Sequence, residues 1–362
     1  LREAYIIMKK LFTRVLPIVF CAILSVVFVY PILQGLILLP LDLLVSNYSP
    51  WHFASTILLK NAFMQDSILQ LFPWRHLTFE SLSAGTIPFW NPYQFMGMPF
   101  MAAMKPMVWY PINILFGLGE VASWHALLLF QLFGSLIFMY MLTCELGIKK
   151  LPAMLSAVSF AFSSLMVGVL EFGSEGNVLV WLPFFLYAAK RYLDNGRGIF
   201  LFGLGLGTAC AIFAGHLQYF AYEIIIISGF VFVYGRTVRT HAKSYLFLTL
   251  AMILGFGIAA IQLVPSIEMF GNSYRGMANS YDVFSSGVLK PFQLIRLFAP
   301  DFFGHPLTRD LQMGYIEQSG YFGIIPLFFA LYAMLYERKN ILVKFFSYVF
   351  CLPPPFLKRC GV

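Results

Sequence analysis

Between residues 124 and 267 the chain passes through six apolar runs, 124–143, 152–170, 177–190, 199–214, 217–235 and 245–267, and every second turn between them is basic. Most approach the roughly 20 residues that a helix needs to cross a bilayer, where a chain satisfies its backbone groups by forming helices. Two further runs, 13–40 and 320–336, flank this block, and a broken candidate begins at 341, so eight spans and a partial ninth are expected. Composition agrees: 60% of the 362 residues are hydrophobic and 11% charged, against roughly a quarter charged in soluble domains. Too few charged side chains remain to cover a soluble body of this size. The expected fold is an all-α polytopic membrane protein.

The net charge of +8 is tested first against topology, because Lys and Arg concentrate in cytoplasmic loops. With a cytoplasmic N-terminus, the segments 149–150, 190–198, 236–243 and 337–339 all fall inside. Fifteen basic residues then share that face, against seven in the outer segments, while eleven of the sixteen acids lie outside. The basic balance is topological, and no nucleic-acid partner is needed. The first run is too long for a signal-peptide core and lacks a small-residue cleavage site, so it reads as an uncleaved span. The five cysteines, Cys21, Cys144, Cys210, Cys351 and Cys360, show no CxxC spacing and read as core residues, not a disulfide framework or metal site.

The expected divisions are a cytoplasmic N-terminus (1–12), a first transmembrane helix (13–40), and a long extracytoplasmic loop with amphipathic helices (41–123). Six spans (124–267), a second outer loop (268–319), and a helix plus a partial helix (320–352) follow, before an aberrant tail (353–362). The three prolines at 353–355 and the basic tail interrupt the last apolar run, which points to truncation at the C-terminus. Residues 1–7, ahead of Met8, read as an upstream extension.

Chemistry, if present, belongs to the outer segments. In "MQDSILQLFPWRHLTFESL", Asp66 and Gln70 stand four apart and share one helical face, with Arg75 and His76 beyond Pro73. A carboxylate there could accept a proton from a hydroxyl or hold a divalent ion that bridges a phosphate; the structural alternative is an interfacial amphipathic helix. "GTIPFWNPYQFMGMPF" (85–100) and "KPMVWYPINILF" (105–116) are rich in Pro and aromatics. They suit either an interfacial belt or a shaped roof in which Trp90 and Tyr110 stack on a substrate and Asn91 offers an amide. His216, Gln218 and Glu223 of "FAGHLQYFAYE" lie near or within spans, where ionisable groups are costly and tend to face an interior or aqueous cavity. Glu268 and Arg275 end the seventh span on the outer side, and Arg275, Lys105, Arg296 and Arg309 are candidate phosphate clamps; headgroup contact is the alternative. Asp301 and His305 lack metal-site spacing. No P-loop, GxGxxG, HExxH or GxSxG motif is present, which removes support for ATP-driven transport and serine-hydrolase chemistry.

"DSILQLFPWR", "AGTIPFWNPYQFMGMPF", "YPINILF", "AGHLQYFAY", "IQLVPSIEM" with "NSYRG", "APDFFG" and "GYFGIIPLFFALYA" occur in that order over most of residues 8–340. As a set they resemble the bacterial YfhO-type membrane proteins, which are similar to GT-C glycosyltransferases. The resemblance implies a GT-C-like helix bundle in the bacterial cytoplasmic (inner) membrane, acting in the cell envelope. It implies transfer of a sugar from a polyprenyl-phosphate donor to an extracytoplasmic glycopolymer or lipid-linked glycan acceptor. Asp66 falls on the family's "D…Q..P" motif and becomes the catalytic candidate; "QD" stands where "GD" is expected. Candidate substrate-binding residues are Gln70, Arg75, Trp90, Asn91, Tyr110, His216, Gln218, Glu268 and Arg275. No metal ligand is assigned, though a divalent ion remains compatible with the chemistry. The competing readings are a non-enzymatic lipid or glycan transporter or flippase, and an inactive truncated family member.

Overall fold

A computed structural model describes residues 2–48, 64–273, 291–305 and 320–351. The described chain is predominantly helical; strand is confined to a two-residue hairpin, Trp90–Asn91 against Met98–Pro99. Helix α1 spans Arg2–Phe28, α2 Asp42–Asn47, α3 Phe72–Ser83, α4 Glu120–Glu145, α5 Lys150–Ala161 and α6 Ser164–Gly168. Then follow α7 Glu175–Leu179, α8 Trp181–Asn195, α9 Gly198–Phe213, α10 Leu217–Thr237, α11 Ala242–Ile258 and α12 Ala260–Gly271. Helices α13 (Ile324–Tyr336) and α14 (Ile341–Cys351) complete the described elements.

Among the described residues, α4 and α10 are long and apolar enough to cross a membrane unaided. Two bent pairs raise the number to four if each is one span: α5 with the segment Ser164–Phe172, bent by 41°, and α11 with α12, bent by 71°. Val15–Phe28, α9, α13 and Ile341–Phe350 are apolar but shorter. Several expected runs are thus divided. The run 13–40 leaves α-helix at Phe28 and passes into a 3-10 turn at Tyr30–Gln34 ended by left-handed Gly35. Pro31 lacks an N–H and biases Tyr30 away from helix, so the break has a local cause. The run 152–170 breaks at Phe162–Ser163, where Ser163 caps α6 by accepting the Met166 N–H.

Outward faces match the interior in chemistry. Helix α11 exposes Leu246, Leu250, Ile253 and Leu254, and α13 exposes Ile324, Ile325, Phe328 and Phe329. Helices apolar on all sides belong in a large core or in lipid. The core gathers Trp124, Leu127 and Leu132 of α4, Phe185 of α8, and Phe220 and Phe230 of α10. Helices α9 and α11 meet through small residues: a Cβ on Gly255 would lie 2.5 Å from the Gly205 carbonyl oxygen, so the backbones approach as in glycine-mediated membrane packing.

The bundle has two polar ends. At one, the C-terminal turns of α4, α8 and α10 converge: Lys190 contacts Asp194 at 2.6 Å and Glu145 at 3.6 Å, and the Tyr234 hydroxyl donates to Asp194 at 2.7 Å. Lys190 and Asp194 belong to the basic segment 190–198, and Glu145 and Tyr234 lie a few residues before the basic segments 149–150 and 236–243. The other end carries the candidate site.

Candidate functional site

Asp66 stands immediately before a π turn, Ser67–Leu71, that leads into α3. π turns are rare and recur at functional positions. The Asp66 side chain is exposed and caps no backbone N–H, whereas Gln70 is half-buried. Ser67, Ile68 and Leu71 point inward, and the turn packs on Leu170–Phe172 ahead of α7. The turn that carries the carboxylate is therefore seated on the bundle while the side chain stays open.

That packing leads to a second polar group. Ser174 and Glu175, at the start of α7, meet Lys105 from the first loop and His216 from the α9–α10 turn. Lys105 forms an ion pair with Glu175 and donates to Ser174 Oγ at 3.3 Å, while the Ser174 hydroxyl donates to Glu175 Oε2 at 2.5 Å. His216 Nε2 lies 3.9 Å from Glu175 Oε1, and its ring packs on Tyr219 with centroids 4.5 Å apart. Glu175 is 12% exposed and Lys105 26%. Burial works to raise the Glu175 carboxyl, but the Lys105 charge and the bonds from Lys105 and Ser174 outweigh it and hold the group below its ordinary value. Burial, then Lys105, push the His216 imidazole below its usual value against the pull of Glu175.

Backbone strain aims Lys105. Met104 and Met107, on either side of Lys105–Pro106, both take positive φ, 61° and 55°, a conformation non-glycine residues rarely adopt. Buried Gln262 of α12 donates to the Met101 carbonyl. Gly215, at φ 89°, lies under the same segment, and a Cβ there would come 2.8 Å from the Met104 carbonyl oxygen. Tyr110 pins the far end by donating to Asn177 Oδ1 of α7 at 3.2 Å; burial pushes its phenol pKa well up.

The remaining candidates divide by environment. Arg75 is buried, with Nη1 donating to Asn113 at 3.1 Å, Nη2 to Ser123 at 3.3 Å, and its guanidinium 4.8 Å from the Phe116 ring centroid. It ties α3 to the 3-10 segment Pro111–Leu118 and to the start of α4. Burial lowers it to about 10, partly opposed by Glu120. Asn91 is also buried, and its side-chain oxygen accepts the Tyr93 N–H at 2.9 Å, closing the hairpin turn. Arg75, Asn91 and Tyr110 thus spend their polar atoms inside the protein. Trp90 is exposed beside Asn91, Gln218 donates to the Tyr222 hydroxyl at 2.9 Å, and Glu268 is exposed near the end of α12. Arg275 and Arg309 lie outside the described residues.

Of the expected binding residues, His216 is joined to Lys105 and Glu175. The Ser174–Glu175 dipeptide carried no sequence motif, and Lys105 and Glu175 pair across 70 residues. A serine and an acid between two apolar runs, on the same predicted face as Lys105, were the available signal. Among the described residues, no three His, Cys, Asp or Glu gather as a metal site. No family model, curated protein or solved structure matches this chain.

Proposed function

We propose that the chain is a GT-C-type membrane glycosyltransferase of YfhO-like character, transferring a sugar from a polyprenyl phosphate to an acceptor outside the cytoplasmic membrane. The observation that carries this reading is that the turn after the open carboxylate Asp66 packs on Leu170–Phe172, just ahead in the chain of Ser174 and Glu175 of the Lys105–Ser174–Glu175–His216 group. An acceptor hydroxyl gives its proton to Asp66 as its oxygen bonds to the sugar carbon. The bond from that carbon to the phosphate oxygen breaks, and the electron pair leaves with the phosphate. The leaving phosphate needs a cation nearby; Lys105, half-buried beside Glu175, supplies it by exchanging Glu175 for the phosphate. A donor tail needs an apolar groove, and one of about 510 Å³ lies between α9 and α11, lined by Phe202, Leu206, Phe247 and Leu254.

The test is transfer of sugar from a polyprenyl-phosphate donor by the protein in lipid vesicles. Asp66→Asn is expected to lower the rate by about 10²–10⁴, the usual range for loss of a general base. Lys105→Met is expected to lower it without abolishing donor binding, since the lipid tail still partitions. A transport reading has one observation of its own. Glu223 lies in α10, 1% exposed, and neither carboxylate oxygen has a well-formed hydrogen bond among the described residues; such intramembrane acids mark ion or proton paths. Movement of a lipid-linked sugar across the vesicle without a covalent product, abolished by Glu223→Gln, would favour that reading over transfer.

A further inference from the structure

From Ser81 to Met104 the chain carries no charged residue, and the hairpin within it is built to hold apolar side chains outward. Phe95 and Met96 both take positive φ, 53° and 60°, followed by Gly97 at 113°. Tyr93 is 80% exposed, Phe95 88%, and Met96 fully. Collapse onto the protein would hide these groups, but the loop is braced against it. The Trp74 indole N–H donates to Gln94 at 2.6 Å, Asn91 is buried beneath the turn, and Gly97 sits so close to Trp90 that a Cβ would meet its ring at 2.5 Å. Backbone strain kept in place by such bracing points to a use for the exposed tip.

The height of the tip relative to the bundle follows from α3. Trp74 holds the hairpin, and its neighbour Arg75 holds Pro111–Leu118, which runs directly into the apolar helix α4. In that segment Ile114 and Leu118 are also exposed. One short helix thus links the hairpin to the level at which α4 enters the apolar layer. Exposed His76 pairs with Glu80 and Glu120 at 3.3 and 3.0 Å, marking the wet side of the same helix. Uncharged Trp, Tyr, Phe and Met at this level suit the headgroup–acyl boundary. A protein partner is less favoured, because the tip offers no charge to set register or specificity.

We infer that Tyr93, Phe95 and Met96 enter the leaflet at this end of α4, so that the hairpin is a lipid-seated anchor fixing the first loop over the bundle. The inference does not depend on the reaction proposed above. In a chain with all five cysteines replaced by alanine, Met96→Cys carries a bimane fluorophore in phosphatidylcholine vesicles, with Ser83→Cys, on the exposed end of α3, as the wet control. Bromination of the acyl chains is expected to quench the residue-96 probe by at least about twofold, and aqueous iodide to quench it far less than the residue-83 probe. Strong iodide quenching without bromolipid quenching would place the tip in water and overturn the inference. Protection from both would mean that protein covers the tip and would equally overturn it. On the unaltered protein, a lipid-soluble diazirine is expected to label residues 93–96; labelling confined to the spans would contradict the anchor without relying on any substitution.

Discussion

Replacing Lys105 by methionine removes the charge that lets Glu175 stay ionised at 12% exposure while leaving an apolar stem of similar length. Losing one partner of a fully buried pair costs about 3–5 kcal/mol, and an exposed pair is worth about 0.2–1 kcal/mol. Lys105 is 26% exposed and Ser174 still donates to Glu175, so the expected loss falls between these limits, at about 2 kcal/mol. Glu175→Gln strands a more accessible ammonium, which can turn toward water, and should cost about 1 kcal/mol. The double variant leaves neither charge and is expected to lose about 1 kcal/mol, not the about 3 kcal/mol that addition would give. Denaturant unfolding in mixed micelles, followed by tryptophan fluorescence across the four proteins, measures the coupling. Additivity within about 0.5 kcal/mol would refute the claim that these groups stabilise the site as a pair.

Three further outcomes follow from the same geometry. Gly215→Ala combines a positive φ of 89° with a Cβ 2.8 Å from a carbonyl oxygen, and should cost about 2 kcal/mol or more in the same unfolding assay. Arg75→Gln should cost about 2–4 kcal/mol, with little rescue by Arg75→Lys, because a single ammonium cannot reproduce the two guanidinium bonds to Asn113 and Ser123. Acidification should destabilise the site: His216 is held below its ordinary 6.5, so under about that pH the unfolded chain binds a proton that the folded chain refuses. Glu175, held below 4.5, keeps its stabilising charge until the pH falls through its lowered folded value. His216→Gln should therefore flatten the stability profile just below pH 6.5 and leave the loss at lower pH; an unchanged profile would remove His216 from the account.

What the sequence made legible was hydrophobic spacing. Helices α4 and α10 emerge within a few residues of the apolar runs 124–143 and 217–235, because long apolar segments between polar turns have few other stable forms. The breaks at Pro31 and at Ser163 were harder to read, since apolar runs continue through both; only the proline and the paired serines mark them. Polar residues in the first loop were the main difficulty. Arg75, Asn91 and Tyr110 read as groups for a substrate because a loop is expected to be wet, but the loop folds over its own small core of Trp74, Phe100, Met101 and Val108. Its polar side chains bond within the loop and to α4 and α7. The Lys105–Glu175 pair was hard to read for a different reason: the bundle makes the contact across 70 residues, and the sequence offers only the shared outer side of the two residues.

The central claim is that the open carboxylate at the π turn drives sugar transfer at the Lys105 end of the bundle. The most direct measurement is the single-turnover rate of sugar transfer from a polyprenyl-phosphate donor by the protein and its Asp66→Asn variant, in the same lipid vesicles and at matched donor binding. The account predicts a fall of about 10²–10⁴ in rate with donor binding retained; equal rates for the two proteins would contradict it.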